Sequence, residues 1–150
     1  MIIRKLYQGE KSPINLLLLA DPSHSLVEEY LKRGECYVAE LDNQIVGVYV
    51  LLPTRPETVE LVNIAVEESF QNRGIGKQLI FHAIQLAKLK DYKTIEIGTG
   101  NSSIGQLALY QKCGFRITGV DQNFFIRHYN QKIVENGIQC KDMIRLSLEI

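Results

Sequence analysis

The stretch QNRGIGK at residues 71–77 decides how this sequence folds, because it separates an apolar run from a helical repeat. Residues 59–66 before it are almost all apolar and predict a buried β-strand. After it, apolar residues recur at helical spacing through residue 87, which predicts an amphipathic helix from Gly74 to Leu89. Such a turn leaves backbone N–H groups unpaired at the positive end of the helix, a position suited to a phosphate group.

The two glycines of this stretch favour a pyrophosphate in particular. Gly74 and Gly76 have no β-carbon to hold an anion away from the backbone. Arg73 and Lys77 can add charge-assisted hydrogen bonds. The stretch lacks the residues that a Walker P-loop requires at both of its ends, and it fails the dinucleotide fingerprint at Leu79. A lone G-x-G often marks only a flexible helix start, so the surrounding residues decide between the two interpretations.

The first two thirds of the chain predict a mixed sheet with helices packed on its faces. Strands are expected at residues 1–7, 36–41, 44–52, 59–66, 94–98 and 115–120, and helices at 13–31, 74–89 and 103–113. The first helical segment should break near Asp21-Pro22, with Ser25 capping its second part. Asp42-Asn43 predicts a tight hairpin turn, and Pro53 and Pro56 bound the next turn.

The last third of the chain predicts further strands. Aromatic and polar residues alternate from Asn123 to Asn130, which is typical of a half-buried strand. Asn136-Gly137 predicts a turn, and Met143 to Leu148 the returning strand of a carboxy-terminal hairpin. An exposed edge in this hairpin could pair with a second copy, so a homodimer is one expectation.

Composition and charge narrow the class of protein. The chain has 150 residues, 45% of them hydrophobic, which fits a single domain over residues 1–150. Its 17 basic and 17 acidic residues give a formal net charge of zero, so no bulk field favours nucleic acid or an anionic membrane. The 3 cysteines are scattered without a C-x-x-C pair, so we expect reduced thiols, no metal site and a cytoplasmic location.

Two motifs carry a family resemblance. The pattern Q-x-R-G-x-G after a β-strand resembles the acyl-CoA signature of the GNAT superfamily of N-acetyltransferases. Further along, NSS at 101–103 and LYQKCGF at 109–115 are similar to the downstream N…LY-x-K-x-GF block of that superfamily. The resemblance is specific from Val59 to Phe115. It implies a mixed, mostly antiparallel sheet of about seven strands, and an enzyme that moves an acetyl group from acetyl-CoA to a primary amine by direct attack in a ternary complex.

The resemblance also implies which residues hold the cofactor. Backbone groups of the strand before the glycine turn should contact the pantetheine arm, namely those of Ile64, Ala65 and Val66. The pyrophosphate should be held by Gln71 and by the backbone of Arg73, Gly74, Ile75, Gly76 and Lys77. Asn101 should contact pantetheine, or it caps its helix instead.

Catalytic roles follow from the same resemblance. Tyr110 matches the tyrosine that protonates or hydrogen-bonds the departing sulfur and thereby also contacts the cofactor, and its alternative role is packing. Glu60 is the candidate base, as in histone-type members, although a solvated strand-edge glutamate would look the same. His128 is the second candidate for the base. A nucleophilic Cys113 is the less favoured route, because no histidine lies near it in sequence.

The acceptor pocket is expected near residues 24–30 and a group in the last third of the chain, Phe124, Phe125, Arg127, His128 and Tyr129. Arg127 would pair with a carboxylate on the acceptor, unless this segment is simply half core and half solvated face. Two other classes of protein remain: a non-catalytic acyl-CoA sensor that needs neither Glu60 nor Tyr110, and a nucleic-acid-binding domain, which the zero net charge disfavours.

Overall fold

The computed structural model describes residues 1–150 and has one central sheet with helices on both faces. The strands are β1 (Ile2–Lys5), β2 (Glu35–Leu41), β3 (Gln44–Arg55), β4 (Thr58–Val66), β5 (Thr94–Gly100), β6 (Arg116–Asp121), β7 (Val134–Glu135), β8 (Ile138–Gln139) and β9 (Met143–Glu149). The helices are α1 (Ile14–Ala20), α2 (His24–Arg33), α3 (Ile75–Leu89), α4 (Ile104–Lys112) and α5 (Phe124–His128). None of the helices has the length and apolar character that a membrane crossing requires.

The sheet has seven strands in the order β1-β2-β3-β4-β5-β9-β6. Every neighbouring pair is antiparallel except β4 and β5, which are parallel. A parallel pair needs a crossover, and α3 supplies it. The predicted mixed, mostly antiparallel sheet of about seven strands is therefore confirmed.

Each face of the sheet has its own apolar core, and β4 contributes to both. One core packs under α3 and α4, the other under α1 and α2. β4 pairs Leu61 with Leu51 and Asn63 with Val50, so Val62 is the extra residue of a β-bulge. This bulge shifts the alternation of side chains, so that Leu61 faces the α3 side and Asn63 the α1–α2 side.

The prediction of an aromatic strand at 123–130 is wrong, because this segment forms the short helix α5. Asn123 adopts a positive φ of 61° and starts the helix, and the Arg127 N–H donates to the Asn123 carbonyl. Phe125 and Tyr129 are four residues apart and pack with their ring centroids 5.4 Å apart. This spacing fits a helix as well as a strand, and tertiary packing decided between them.

Three local predictions also need correction. Ser23, rather than Ser25, caps α2, since its Oγ accepts from the Leu26 N–H. Pro53 does not end its strand: β3 continues to Arg55, and the irregular pairing at that point accommodates the missing N–H. The turn at Asn136-Gly137 joins only the small ribbon β7–β8, while β9 lies between β5 and β6 with both edges paired. The open edge invoked for a homodimer therefore does not exist in β9.

Candidate active site

A cleft opens where β4 and β5 stop pairing. Their parallel register runs only from Thr58 with Thr94 to Leu61 with Ile97, although both strands continue. The gap widens into a cleft of about 1160 Å³, lined by residues 60–66 of β4 and 97–100 of β5. The glycine turn and α4 border one side of this cleft, and α1, α2 and α5 border the other.

The glycine turn presents a row of unused hydrogen-bond donors. No backbone N–H from residue 72 to residue 77 has an acceptor within the protein. Gly74 stands at the N-terminal end of α3 with a φ of 81°, and a β-carbon there would meet no atom within 4 Å. Donors at the positive end of a helix of 15 residues, with open space before them, fit a pyrophosphate.

The side chains around this turn have separate partners. Gln71 donates its amide to the Val66 carbonyl at 3.0 Å. The Arg73 guanidinium lies 5.0 Å from the ring centroid of Phe70 and does not line the cleft, whereas Lys77 does. Ile75 buries its side chain in the core and can offer only its N–H. The backbone thus offers most of the donors suited to an anion, and Lys77 is the basic side chain of this turn that lines the cleft.

Ile64, Ala65 and Val66 line the cleft along one edge of β4. Their other edge is fully paired, with Tyr49, Val48 and Gly47 of β3. Toward β5 they have no strand partner, so the backbone groups on that edge, apart from the Val66 carbonyl that accepts from Gln71, are open to a bound molecule.

Tyr110 lines the same cleft. Its side chain packs beside Phe115 and is only 4% exposed. The hydroxyl has no hydrogen-bond partner, and it is not among the fully enclosed unpaired atoms, so it opens to the cleft. Burial raises the pKa of Tyr110 well above its ordinary value. The tyrosine therefore keeps its proton and can donate a hydrogen bond into the cleft.

Glu60 is the one unengaged carboxylate of the cleft. Four carboxylates line it, Asp21, Glu29, Glu60 and Glu135. Asp21 accepts from two tyrosines, Glu29 pairs with Arg33, and Glu135 accepts from two serines. Glu60 makes no hydrogen bond; burial raises its pKa, and the nearby Arg145 guanidinium partly opposes that increase.

Two other predicted residues have structural partners. Asn101 accepts at Oδ1 from the N–H groups of Lys141 and Asp142, and its amide donates to the Gln139 carbonyl. It thus fastens the loop before β9 and does not line the cleft. Cys113 is 8% exposed and packs in the core, where burial raises its thiol pKa. A thiol in that state is a poor nucleophile.

Only some of the residues predicted to bind the acceptor line the cleft, because they lie on a helix. Phe124 and Phe125 line the cleft. Arg127 and His128 do not: Arg127 binds Asp121 at 2.9 Å, and the His128 ring packs on Phe124 with centroids 4.6 Å apart. A strand would have placed alternate residues on one face, whereas this helix turns the two basic residues away.

Sequence analysis placed Tyr30 and Tyr129 near the acceptor but missed Asp21, Asn63 and the hydrogen bonds that connect the four residues. Asn63 donates to the hydroxyl of Tyr30, which donates to Asp21. Tyr129 donates to the other oxygen of Asp21 at 2.8 Å, across 108 positions of sequence. Only one signal was available beforehand: Asn63 interrupts an apolar strand, and a polar residue inside such a strand needs a partner.

The fold and the cleft define a class of protein in which two parallel strands separate beside a row of free backbone N–H groups at a helix end. The sequence model of the Acetyltransferase (GNAT) family matches residues 3–115. Over 136 residues the chain is 64% identical to the uncharacterized N-acetyltransferase YvbK of Bacillus subtilis, covering 91% of this chain and 88% of that relative. The chain belongs to the GNAT family of acetyltransferases.

Solved structures agree with this assignment. A GNAT family acetyltransferase from Elizabethkingia anophelis, with acetyl-CoA bound, has a TM-score of 0.98 and 54% identity, covering 99% of this chain and 97% of that one. A Bacillus subtilis acetyltransferase in complex with CoA has a TM-score of 0.92 and 60% identity, with coverage of 99% and 97%. The predicted family, fold and enzyme class are thereby confirmed, and the predicted donor is the ligand of the first structure.

Proposed function

We propose that this protein transfers an acetyl group from acetyl-CoA to a primary amine by direct attack within a ternary complex. The observation that supports it is that one cleft holds three things together: the free N–H groups of residues 72–77, a protonated Tyr110 and an unengaged Glu60. When bound, acetyl-CoA supplies a thioester carbonyl that the amine attacks.

The donor would be held mainly by backbone groups. The N–H groups of residues 72–77, with Lys77 beside them, suit the pyrophosphate. The open edge of Ile64, Ala65 and Val66 suits the amide groups of the pantetheine arm, as an added strand would pair there. Both contacts use main-chain atoms whose positions the sheet and α3 fix in advance.

Glu60 would act as the base. A lysine-like amine has a pKa of about 10.4, so presenting it neutral at pH 7 costs about 4.6 kcal/mol. A carboxylate that makes no other hydrogen bond can accept the amine proton directly or through one water. Its raised pKa makes Glu60 a stronger base than an exposed glutamate.

Tyr110 would act at the leaving group. Its hydroxyl has no protein partner, and its raised pKa keeps the proton in place near neutral pH. It can therefore donate a hydrogen bond to the sulfur as the thioester bond breaks, and the coenzyme leaves as the thiolate. The buried ring fixes the direction of the donation, because packing leaves it few rotamers.

A panel of primary amines with acetyl-CoA, followed by the release of free thiol, tests this function. We expect steady, amine-dependent release from at least one member of the panel. A non-catalytic sensor would instead be stabilised by CoA in a thermal melt without releasing thiol with any amine. Mass spectrometry of the product would show whether nitrogen carries the acetyl group.

A further inference from the structure

The guanidinium of Arg145 lines the cleft without making a hydrogen bond to the protein. Its ionic contact with Asp121 is 3.6 Å long, whereas Arg127 holds the other oxygen of that carboxylate at 2.9 Å. The ring of Phe124, which also lines the cleft, lies with its centroid 5.8 Å from Cζ of Arg145 and helps to orient the cation. The planar set of N–H donors on Arg145 is therefore free to bind an anion.

The other basic side chains of the cleft have different positions or partners. Four basic side chains line it, Arg33, Lys77, Lys112 and Arg145. Arg33 donates to Glu29 at 3.0 Å, one turn earlier in α2. Lys77 and Lys112 belong to α3 and α4, on the side of the cleft assigned to the donor. Arg145 is thus the one unengaged cation left for the acceptor.

Glu60 and Arg145 lie on the same face of the sheet. Glu60 pairs with Glu96 of β5, and Glu96 pairs with Ser147 of β9, so these three side chains share a face. Arg145 precedes Ser147 by two residues in a regular part of β9 and therefore points the same way. The guanidinium of Arg145 also partly opposes the raised pKa of Glu60, which requires the two charges to be near each other.

This part of the face has no apolar core above it. The core under α1 and α2 takes its buried strand residues from β2, β3 and β4 and none from β5 or β9. The charged side chains on β5 and β9 consequently remain partly accessible, with that of Glu96 29% exposed and that of Arg145 45% exposed. A bound molecule can therefore reach Arg145 from the cleft.

Glu60 and Arg145 carry opposite charges, yet they form no ion pair with each other. Glu96 on the same face is already paired with Arg55 at 2.8 Å. A zwitterion has an ammonium and a carboxylate in one small molecule, so it can place each charge beside its opposite in this space. The guanidinium can hold the carboxylate by two parallel hydrogen bonds, which also fixes where the amine lies.

The same charges disfavour other amines. A polyamine would bring a second ammonium toward Arg145 and be repelled. A lysine side chain or the amino terminus of a protein has no carboxylate beside its nitrogen, so the guanidinium would stay unpaired. A dianion such as a phosphate monoester would meet the Asp121 carboxylate 3.6 Å from the guanidinium, which favours a singly charged group.

From these observations we infer that the acceptor is a free amino acid, whose amine faces Glu60 and whose carboxylate is bound by the guanidinium of Arg145. The inference rests on the proposed function and names the substrate class of the same site. It makes Arg145 a specificity-determining residue, with Phe124 orienting it.

The first test compares each common L-amino acid with its own amide, using the native enzyme and acetyl-CoA. For the best acceptor we expect kcat/KM to exceed that of its amide by about 10-fold or more, the value of a charge-assisted hydrogen bond. The carboxylate raises the pKa of the neighbouring amine, so the amide offers more neutral amine, and basicity cannot explain this preference.

Spermidine, phenethylamine and a peptide with a free amino terminus complete the panel. Thiol release with these amines or the amides, equal to or above that with every amino acid, would overturn the inference and leave the proposed function intact. Absence of thiol release with every amine would overturn the function itself.

The second test removes the guanidinium. R145A should reduce the ratio of amino acid to amide kcat/KM by about 10- to 100-fold, mainly through the KM of the amino acid. The ratio cancels any effect of Arg145 on Glu60, because both acceptors use the same base. R145K should keep part of the ratio, since lysine supplies the charge without the paired donors. Equal losses for the amino acid and the amide in R145A would overturn the inference.

R33A is the matched control, because Arg33 also lines the cleft but is paired with Glu29. It should leave the ratio within about 3-fold of the native value. Calorimetry with CoA should give affinities within about 3-fold for both alanine variants, which shows that the fold is intact. A ratio lost in R33A and kept in R145A would place the carboxylate at α2 and overturn the assignment.

Discussion

The two halves of the cleft are built from different parts of the peptide. The donor half, which comprises Ile64 to Val66, the glycine turn and α4, offers mainly backbone groups held by a sheet edge and a helix end. The acceptor half, which comprises α1, α2, α5 and Glu60, offers side chains brought together from distant positions. A backbone site needs only the right local conformation, whereas a side-chain site needs the whole tertiary fold.

The strongest test of this difference changes the backbone conformation of the donor half alone. Gly74 has a φ of 81°, and so does Gly9, which lies outside the cleft with equally open space around it. Neither position tolerates a β-branched residue. G74V should therefore displace the N–H donors and weaken CoA binding by about 1000-fold, or about 4 kcal/mol. Calorimetry with CoA measures the loss.

G9V is the matched control, because it imposes the same strain without touching the turn. We expect it to lower Tm but leave CoA affinity within about 3-fold of the native value. Equal loss of affinity in both variants would mean that global destabilisation, not the donor row, explains the effect. Full binding by G74V would show that side chains carry the anion site.

In the acceptor half the largest effect should come from E60Q. Removal of a general base lowers kcat/KM for the amine by about 100-fold. The native enzyme should lose activity as the pH falls through the raised pKa of Glu60, and the glutamine variant should lack this acid limb. Profiles of kcat/KM against pH for both proteins measure this, and a limb retained by E60Q would assign the base elsewhere.

The same substitution should raise stability. Because burial raises the pKa of Glu60 in the folded state, the protonated carboxyl stabilises the fold, and that contribution is lost as the pH rises through the folded pKa. E60Q stays neutral and should therefore unfold at a higher temperature at pH 8, but not at pH 4. A gain at neither pH would mean that the carboxylate is well solvated.

The same contrast explains what the sequence could predict. The donor half follows from residues 71–77 and 109–115, since glycine spacing and helical periodicity are local properties. The acceptor half depended on whether residues 123–130 form a strand or a helix, and their aromatic spacing suits both. Asp21, Asn63 and Tyr129 meet only in the folded chain, so no spacing rule could bring them together.

Tyr110, on α4 of the donor half, is the one side chain there for which a catalytic role is proposed. Y110F removes a hydroxyl that makes no hydrogen bond within the protein. Stability should stay within about 0.5 kcal/mol, and turnover should fall about 10- to 100-fold, because a thiol of pKa about 8.5 leaves fairly well even without an acid. Measuring kcat with saturating acetyl-CoA checks this. Unchanged turnover would reduce Tyr110 to a packing residue.

The smallest effect on the pH profile is expected from replacing Arg145, and Arg127 is its control because both arginines contact the same carboxylate. Arg127 and Arg145 both contact Asp121, at 2.9 Å and 3.6 Å, but only Arg145 lines the cleft. Arg145 lowers the pKa of Glu60, so R145A should raise that pKa and move the acid limb of kcat/KM to higher pH. R127A should leave the limb in place, because an exposed pair on the outer side of a helix contributes little.

A shift of the limb in R127A equal to that in R145A would mean that α5 reaches the acceptor through its basic side. No shift in either variant would mean that solvent screens Arg145 from Glu60, since that side chain is 45% exposed. The two variants together therefore measure how strongly the charge of Arg145 affects the pKa of Glu60.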